Sequence, residues 1–253
     1  MTSDIFGSSV VVHNGKMLLC GGYDNAKACL QLDSGTWKEY NALNEKRFEH
    51  SSITTQTASF LFGGLDSKTT YEYLPKDSST WLMRETEIPG GFLGGAAISV
   101  KSEQEIWLIG GESTGKRILS FRVKDHTFQE LPFTLKQEKP WAKCAYIPNT
   151  NKIMIMSEYS KSTELLDTEN GSIITLATTP NSSRKSFGLG VVTITDEDRL
   201  AVFGGQDGRA KLDSVELYNV KTERWETSSL KLNDAKNKFA YLSLKLGDIE
   251  TKL

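Results

Sequence analysis

The sequence repeats a double glycine at the end of a short apolar run, and this repeat constrains the fold more than any other feature. Four clear copies are Leu18–Gly22, Phe60–Gly64, Trp107–Gly111 and Val202–Gly205. Their first glycines lie at positions 21, 63, 110 and 204, in steps of 42, 47 and 94 residues. Since 94 is twice 47, a fifth copy is expected near position 157, where Met154–Met156 keeps the apolar run and Ser157-Glu158 replaces the glycines. A fixed period of this length indicates a repeat architecture.

A large apolar residue follows the first position of each pair by 16 to 21 residues and gives the same register: Trp37, Trp81, Phe128, Ile174 and Trp225. Ahead of each pair lie two short apolar stretches separated by turn residues, as in Ser9–His13 and Lys16–Cys20. Stretches of this length and composition predict strands, about four in each repeat. No segment keeps a helical apolar period over many positions, so we expect an all-β chain.

Repeated four-stranded sheets bury both of their apolar faces when they stack radially, as in a β-propeller. We therefore predict a single propeller domain over residues 1–253, with repeats at about 7–45, 46–91, 92–138, 139–184 (degenerate) and 185–232. The segment 238–246 has the pattern of a further inner strand, and a terminal strand that closes the ring would remove open sheet edges. Five four-stranded blades are favoured, and a six-bladed propeller with one incomplete blade is the alternative.

These residues also resemble a known family. The order of apolar strand, Gly-Gly, further strand and spaced tryptophan is similar to the Kelch repeat, and so are the strand openings Arg47–Ser52 and Arg184–Leu189. The resemblance covers the chain from about Phe6 to Tyr241, and the fourth copy departs from it. It implies a Kelch-type propeller whose inter-blade loops, together with the loops after the glycine pairs, bind a partner, often with arginines that hold acidic motifs.

The resemblance places the candidate partner-binding residues on those loops. They are Tyr23, Asn25, Arg47, Phe48, Phe92, Trp141, Arg184, Lys185 and Arg209. Arginine and exposed aromatic side chains dominate the binding energy of protein interfaces. Two of the five inter-blade loops carry an arginine, and the alternative interpretation is that these residues are ordinary polar loop tips.

Charge and motifs exclude several function classes. Thirty basic and 32 acidic side chains give a net charge of −2, which is not the footprint of a nucleic-acid binder. No apolar run reaches the length of a membrane span. The sequence has no metal-ligand spacing of His and Cys, no phosphate-binding glycine loop and no GxSxG nucleophile motif. We predict no catalytic residue, no metal and no cofactor, and we expect a monomer.

The cysteines do not decide between a cytoplasmic and an extracellular location. Cys20 and Cys29 flank the first glycine pair and would lie on neighbouring strands, either as buried thiols or as a cross-strand disulfide. Reduced thiols fit a cytoplasmic protein, which is slightly favoured, and a disulfide would place the chain outside the cell. The glycosylation sequons at Asn170 and Asn181 fit the second case.

The sequence therefore predicts a non-catalytic interaction module that binds a protein or peptide through the loop face of a Kelch propeller. The first alternative is a secreted binding or structural protein. The second is a small-sugar enzyme of the mutarotase type, because Kelch-like propellers include such enzymes and their chemistry needs few groups in a pocket.

Overall fold

The computed structural model describes residues 6–158, 162–176 and 184–236, and these residues form β-strands joined by turns and loops without a helix. The strands make five sheets, which are the five blades of a β-propeller. The predictions of an all-β fold and of five blades are confirmed. The predicted terminal strand 238–246 and the sequon at Asn181 lie outside the described residues.

Each of the first four blades takes its strands from one continuous segment, in chain order. The first blade contains β1 (Ser9–His13), β2 (Lys16–Cys20), β3 (Cys29–Asp33) and β4 (Thr36–Tyr40). The second contains β5 (Ser51–Thr54), β6 (Ala58–Phe62), β7 (Tyr71–Pro75) and β8 (Leu82–Met83). The third contains β9 (Ala96–Val100), β10 (Glu105–Ile109), β11 (Ile118–Arg122) and β12 (Thr127–Glu130). The fourth contains β13 (Ala142–Tyr146), β14 (Lys152–Ser157), β15 (Thr163–Asp167) and β16 (Ile173–Leu176).

The fifth blade departs from the four-stranded prediction. Its strands are β17 (Gly188–Ile194), β18 (Glu197–Phe203), β19 (Gln206–Asp207), β20 (Ala210–Asn219) and β21 (Arg224–Lys236). The long strand β20 pairs with β18 and β21, and its first residues also pair with the two-residue strand β19. The extra strand therefore arises because the loop after the glycine pair folds back on the start of β20.

The glycine pairs allow neighbouring blades to approach closely. At Gly63 φ is 65°, and a Cβ built there would lie 1.8 Å from the carbonyl oxygen of Phe92 in the next inter-blade loop. The adjacent Gly64 N–H donates to the same carbonyl at 3.0 Å. Only glycine combines this left-handed backbone with the absence of a side chain. In the fourth blade Ser157 takes the position of the first glycine. It is the last residue of β14, and its hydroxyl donates to the Pro140 carbonyl.

The chain divides into two compact units, and the first contains residues 6–108 and 119–129. Within it, β1 contacts β5 and β5 contacts β9, so the first three blades are joined through these first strands. Two apolar clusters lie among the described residues of this unit. One surrounds Trp81 and the Cys20–Cys29 pair, and the other contains Phe60, Phe62, Tyr71 and Phe121.

The second unit contains residues 109–118, 130–158, 162–176 and 184–236. Its strands β13 and β17 contact each other, and one apolar cluster lies between the fourth and fifth blades. Trp225 packs in this cluster with its ring 5.4 Å from that of Tyr218. Burial of these apolar side chains is the main source of stability in each unit.

The large apolar residue that follows each glycine pair has no single environment. Trp81 and Trp225 are buried, Trp37 and Phe128 are half-buried, and Ile174 is 50% exposed on β16. Trp81 and Trp225 are therefore the core residues of this set. Ile174 faces solvent in the fourth blade, where Ser157-Glu158 also replaces the glycine pair.

Candidate functional site

In the first unit, the loop after a glycine pair is hydrogen-bonded to the segments that precede the first strand of its own blade and of the next blade. The Tyr23 N–H donates to the Phe6 carbonyl at 3.0 Å, and the Leu65 N–H donates to the Phe48 carbonyl at 2.9 Å. Gly22 N–H donates in the same way to the Arg47 carbonyl at 3.0 Å. The loop after each glycine pair is therefore fixed against an inter-blade segment. Binding residues are commonly found on loops that a rigid scaffold positions in this way.

An apolar surface lies on these loops, and we call Phe6, Tyr23, Phe48 and Leu65 the aromatic patch. Tyr23 is 67% exposed and Leu65 is 47% exposed. Phe48 is half-buried between two rings, with its centroid 5.5 Å from that of Tyr23 and 5.3 Å from that of Phe6, both edge to face. The structure thus brings together the predicted residues Tyr23 and Phe48 and adds Phe6 and Leu65, which the sequence analysis missed.

Asn25 and Trp141 are also on loops of this kind. Asn25 is exposed on the loop of Tyr23, and its carbonyl accepts the Ala28 N–H at 2.9 Å. Trp141 lies in the second unit, is half-buried and has a φ of 48°. Asn25 therefore borders the aromatic patch along the chain, and Trp141 belongs to the other unit.

Arg47 is buried rather than displayed on the loop face. Its Nε donates to Glu72 Oε1 at 3.0 Å, and its Nη1 donates to the Gly63 carbonyl at 2.8 Å and the Thr70 carbonyl at 3.1 Å. Neither side chain of the Arg47–Glu72 pair has any exposed surface. The guanidinium therefore joins an inter-blade loop to the second blade, and it does not belong to the exposed binding surface.

Arg184 has the same environment in the fifth blade. It donates to Glu216 Oε1 at 3.0 Å from Nε and at 2.5 Å from Nη2, and to the Gly204 carbonyl at 2.7 Å. In the fourth blade Lys139 takes this position, with its Nζ 3.2 Å from Glu164 Oε1. The expectation that arginines of these loops face a partner therefore does not fit Arg47 or Arg184, because buried glutamates hold both.

The third blade replaces the ion pair with two apolar residues. Phe92 occupies the position of Arg47, since its carbonyl accepts the Gly64 N–H as that of Arg47 accepts the Gly22 N–H. Leu119 is the second residue of β11, as Glu72 is the second residue of β7. Phe92 and Leu119 are both fully buried in one apolar cluster. Phe92 is therefore a core residue and not part of the exposed surface.

A signal for these pairs was present in the sequence. Glu72, Glu164 and Glu216 each follow a buried residue and precede an apolar one, as in Tyr71-Glu72-Tyr73. A carboxylate buried at such a position requires a cation or several hydrogen-bond donors. Glu72 has both, because Oε2 also accepts the Asn44 backbone N–H at 2.7 Å and Oε1 accepts the Glu45 N–H at 3.1 Å.

Burial lowers the pKa of the Arg47 guanidinium, while the carboxylate of Glu72 acts in the opposite direction. Burial likewise lowers the pKa of Lys139, against the effect of Glu164. Burial lowers the pKa of His50 to about 3, with a further contribution from the charge of Arg47. His50 is therefore a neutral ring at physiological pH, and its Nε2 lies 2.6 Å from the Ser9 hydroxyl.

Lys185 and Arg209 lie in the second unit, where both side chains are exposed. The Lys185 N–H donates to the Gln206 carbonyl at 3.0 Å, and the Gln206 N–H donates back to the Lys185 carbonyl at 2.9 Å. The inter-blade segment of Lys185 and the loop that carries Arg209 are therefore joined as in the first unit.

The described residues contain neither a metal-binding cluster nor a helix that could span a membrane. Within residues 6–158, 162–176 and 184–236 there is no group of three or more His, Cys, Asp and Glu side chains that could hold a metal ion. In the same part of the chain there is no helix with the length and apolar character needed to cross a membrane.

The Kelch motif model matches residues 190–229, which contain most of the fifth blade, including Gly204-Gly205 and Trp225. This match and the five blades confirm the resemblance that the sequence showed. No curated protein sequence matches the chain significantly.

Proposed function

We propose that this β-propeller with a Kelch motif is a non-catalytic interaction module, which binds a protein or peptide partner at the aromatic patch. Propellers of the Kelch family are commonly protein-interaction modules. The observation that carries the proposal is the exposure of Tyr23 and Leu65, of which the first contacts the Phe48 ring and the second its backbone carbonyl. Large apolar side chains that are exposed together commonly form a binding surface.

The patch has the composition of an interface centre. Tyr23 and Phe48 have few rotatable bonds, so holding them against a partner costs less side-chain entropy than holding long flexible residues. Backbone hydrogen bonds from Tyr23 to Phe6 and from Leu65 to Phe48 already fix the loops. A preorganised surface of this kind binds more tightly than a mobile one with the same area.

Peptide selection tests this proposal. A random peptide library is displayed on phage and selected on the immobilised protein, and the affinities of enriched peptides are measured by fluorescence anisotropy. We expect the variants Phe48→Ala and Tyr23→Ala to bind these peptides at least tenfold more weakly, the loss typical of an interface hot spot. The matched control is Ile174→Ala, which removes a 50% exposed apolar side chain from β16. Equal affinity of Phe48→Ala and wild type would refute the proposal.

A second candidate, an extracellular binding protein, is favoured by the disulfide between Cys20 and Cys29. Both cysteines are buried and their residues are paired directly across β2 and β3. Disulfides of this kind persist in oxidising compartments. This candidate differs from the first in location, and the thiol count described in the Discussion tests it.

A further inference from the structure

The turn between β15 and β16 contains a complete acceptor sequence for N-linked glycosylation, Asn170-Gly171-Ser172. Asn170 and Ser172 are both exposed. The Asp167 side chain holds the turn, because its Oδ1 accepts the Glu169 N–H at 2.9 Å and the Asn170 N–H at 3.3 Å. The acceptor sequence therefore lies on an ordered surface turn, where a bulky oligosaccharide stays outside the core.

The amide nitrogen of Asn170 is not used by the fold. Its Oδ1 accepts the Ser172 N–H at 2.8 Å, while its Nδ2 has no hydrogen bond to the described part of the chain. Asn219 forms the same kind of turn in the fifth blade, since its Oδ1 accepts the Lys221 N–H at 3.0 Å, but its Nδ2 donates to Glu226 Oε1 at 2.7 Å. A sugar on Nδ2 of Asn170 therefore displaces no hydrogen bond, whereas a sugar on Asn219 would break one.

Asn170 lies at the end of the fourth blade that is away from its inter-blade segment. The Thr168 N–H donates to the carbonyl of Asn151, which immediately precedes β14, at 3.0 Å. Ser157 at the other end of β14 donates to the Pro140 carbonyl in the inter-blade segment. A glycan on Asn170 therefore leaves the loop end of this blade uncovered.

We infer that Asn170 carries an N-linked oligosaccharide. The inference goes beyond the proposed binding function and agrees with the extracellular candidate, because the Cys20–Cys29 disulfide and N-linked glycosylation are both typical of secreted proteins. In the transfer step, Nδ2 of Asn170 forms a bond to the anomeric carbon of an oligosaccharide that is linked to a lipid pyrophosphate. The bond from this carbon to the pyrophosphate oxygen breaks, the lipid pyrophosphate leaves with the electron pair, and the amide loses one proton to a base of the transferase.

Mass spectrometry of protein from its native source tests the inference. Peptide N-glycosidase, used in water labelled with heavy oxygen, converts a glycosylated asparagine into a labelled aspartate. We expect the label at Asn170 and none at Asn219, and fragment spectra separate Asn170 from Asn181. A parallel sample without the enzyme shows how much label spontaneous deamidation of Asn170-Gly171 adds. An unmodified Asn170, or equal labelling with and without the enzyme, would overturn the inference.

Variants of the full chain, secreted from cultured eukaryotic cells, provide a matched comparison. Ser172→Ala removes the hydroxyl of the acceptor sequence but keeps the backbone N–H that donates to Asn170 Oδ1, so we expect complete loss of the sugar from Asn170. Ser172→Thr keeps an acceptor sequence and should keep the sugar. Sugar on Asn170 in the Ser172→Ala variant, or its absence from both wild type and Ser172→Thr, would contradict the inference.

Failure of this inference is distinct from failure of the proposed function. A disulfide together with an unmodified Asn170 in the native protein leaves the extracellular candidate in place and overturns the glycan. The affinity of selected peptides for Phe48→Ala tests the aromatic patch whether or not Asn170 carries a sugar.

Discussion

Arg47 Nε lies 3.0 Å from Glu72 Oε1, and neither side chain has exposed surface. The same arrangement recurs as Lys139–Glu164 and Arg184–Glu216. In each case a residue of an inter-blade loop reaches the third strand of a blade or its equivalent, so the pairs attach the loops to the sheets. Arg47 and Arg184, which the resemblance placed among the binding residues, are therefore part of the framework that holds these loops.

Removal of one member of the pair should be strongly destabilising. Arg47→Met leaves the Glu72 carboxylate buried without its cation, and we expect a loss of about 3–5 kcal/mol in the free energy of unfolding, measured by urea denaturation. The double variant Arg47→Phe with Glu72→Leu reproduces the Phe92 and Leu119 arrangement of the third blade. It should be more stable than Arg47→Phe alone, and strict additivity of the two single changes would contradict this account.

The two glycines Gly63 and Gly35 should respond differently to substitution by alanine. Both have positive φ, but a Cβ at Gly63 meets the Phe92 carbonyl at 1.8 Å and a Cβ at Gly35 meets nothing within 4 Å. We expect Gly35→Ala to cost about 1–2 kcal/mol from backbone strain alone. Gly63→Ala should cost clearly more, since the inter-blade loop must move. Similar melting temperatures for the two variants would show that the close approach has no energetic role.

Acid should destabilise the protein below pH 6.5, in part through His50. Because burial lowers its pKa to about 3 in the folded state, against 6.5 in the unfolded chain, the unfolded state binds the proton first as pH falls. The contribution of His50 is fully present above pH 6.5 and is lost between pH 6.5 and 3, at about 1.4 kcal/mol per pH unit.

The variant His50→Gln isolates this effect, since it keeps a side-chain donor near Ser9 and cannot titrate. The pKa values of His13 and His126 are also lowered by burial, so some pH dependence should remain in the variant. Urea denaturation at pH 6.5 and at pH 4.5 gives the change in the free energy of unfolding per pH unit for each protein. Equal slopes for wild type and His50→Gln would contradict the assignment.

The disulfide should be present in protein isolated without reductant. Alkylation after denaturation, followed by intact mass, should modify Cys144 alone and leave Cys20 and Cys29 protected. In the native protein Cys144 should also react slowly, because burial raises the pKa of its thiol to about 12. Modification of three cysteines in the denatured protein would indicate a reducing compartment and contradict the extracellular candidate.

Loss of the disulfide should lower stability moderately. The bridge joins residues nine positions apart, so the variant with Cys20→Ser and Cys29→Ser should lose about 2–3 kcal/mol of chain-entropy stabilisation. Cys144→Ser is the matched control, because it removes the thiol of a half-buried cysteine without opening a bridge. The loop of Tyr23 lies between the bridged cysteines, so the double variant should also bind selected peptides more weakly.

The glycine period predicted the fold well because it reports a backbone requirement. A glycine with positive φ beside a neighbouring carbonyl, as at Gly63, tolerates almost no other residue, so the period survives in the sequence. Even the fourth blade followed the register, although Ser157 takes the glycine position. The extra strand β19 was not predicted, because Gln206-Asp207 pairs with β20 through backbone atoms and has no apolar pattern.

The candidate site was predicted less well, for a physical reason. Loop position follows from the repeat, but the direction of a side chain depends on its partners. Arg47 and Arg184 turn inward because Glu72 and Glu216 are buried beneath them, whereas the Tyr23 side chain is 67% exposed. The sequence places all of these residues on loops and does not distinguish the two environments unless the buried glutamates are considered.

The most direct test of the central claim is the affinity of one selected peptide for wild type, Phe48→Ala and Ile174→Ala, measured on proteins with matched unfolding free energies. The account predicts that Phe48→Ala binds at least tenfold more weakly and that Ile174→Ala binds as wild type does. Unchanged affinity of Phe48→Ala, or an equal loss in Ile174→Ala, would show that the aromatic patch is not the binding site.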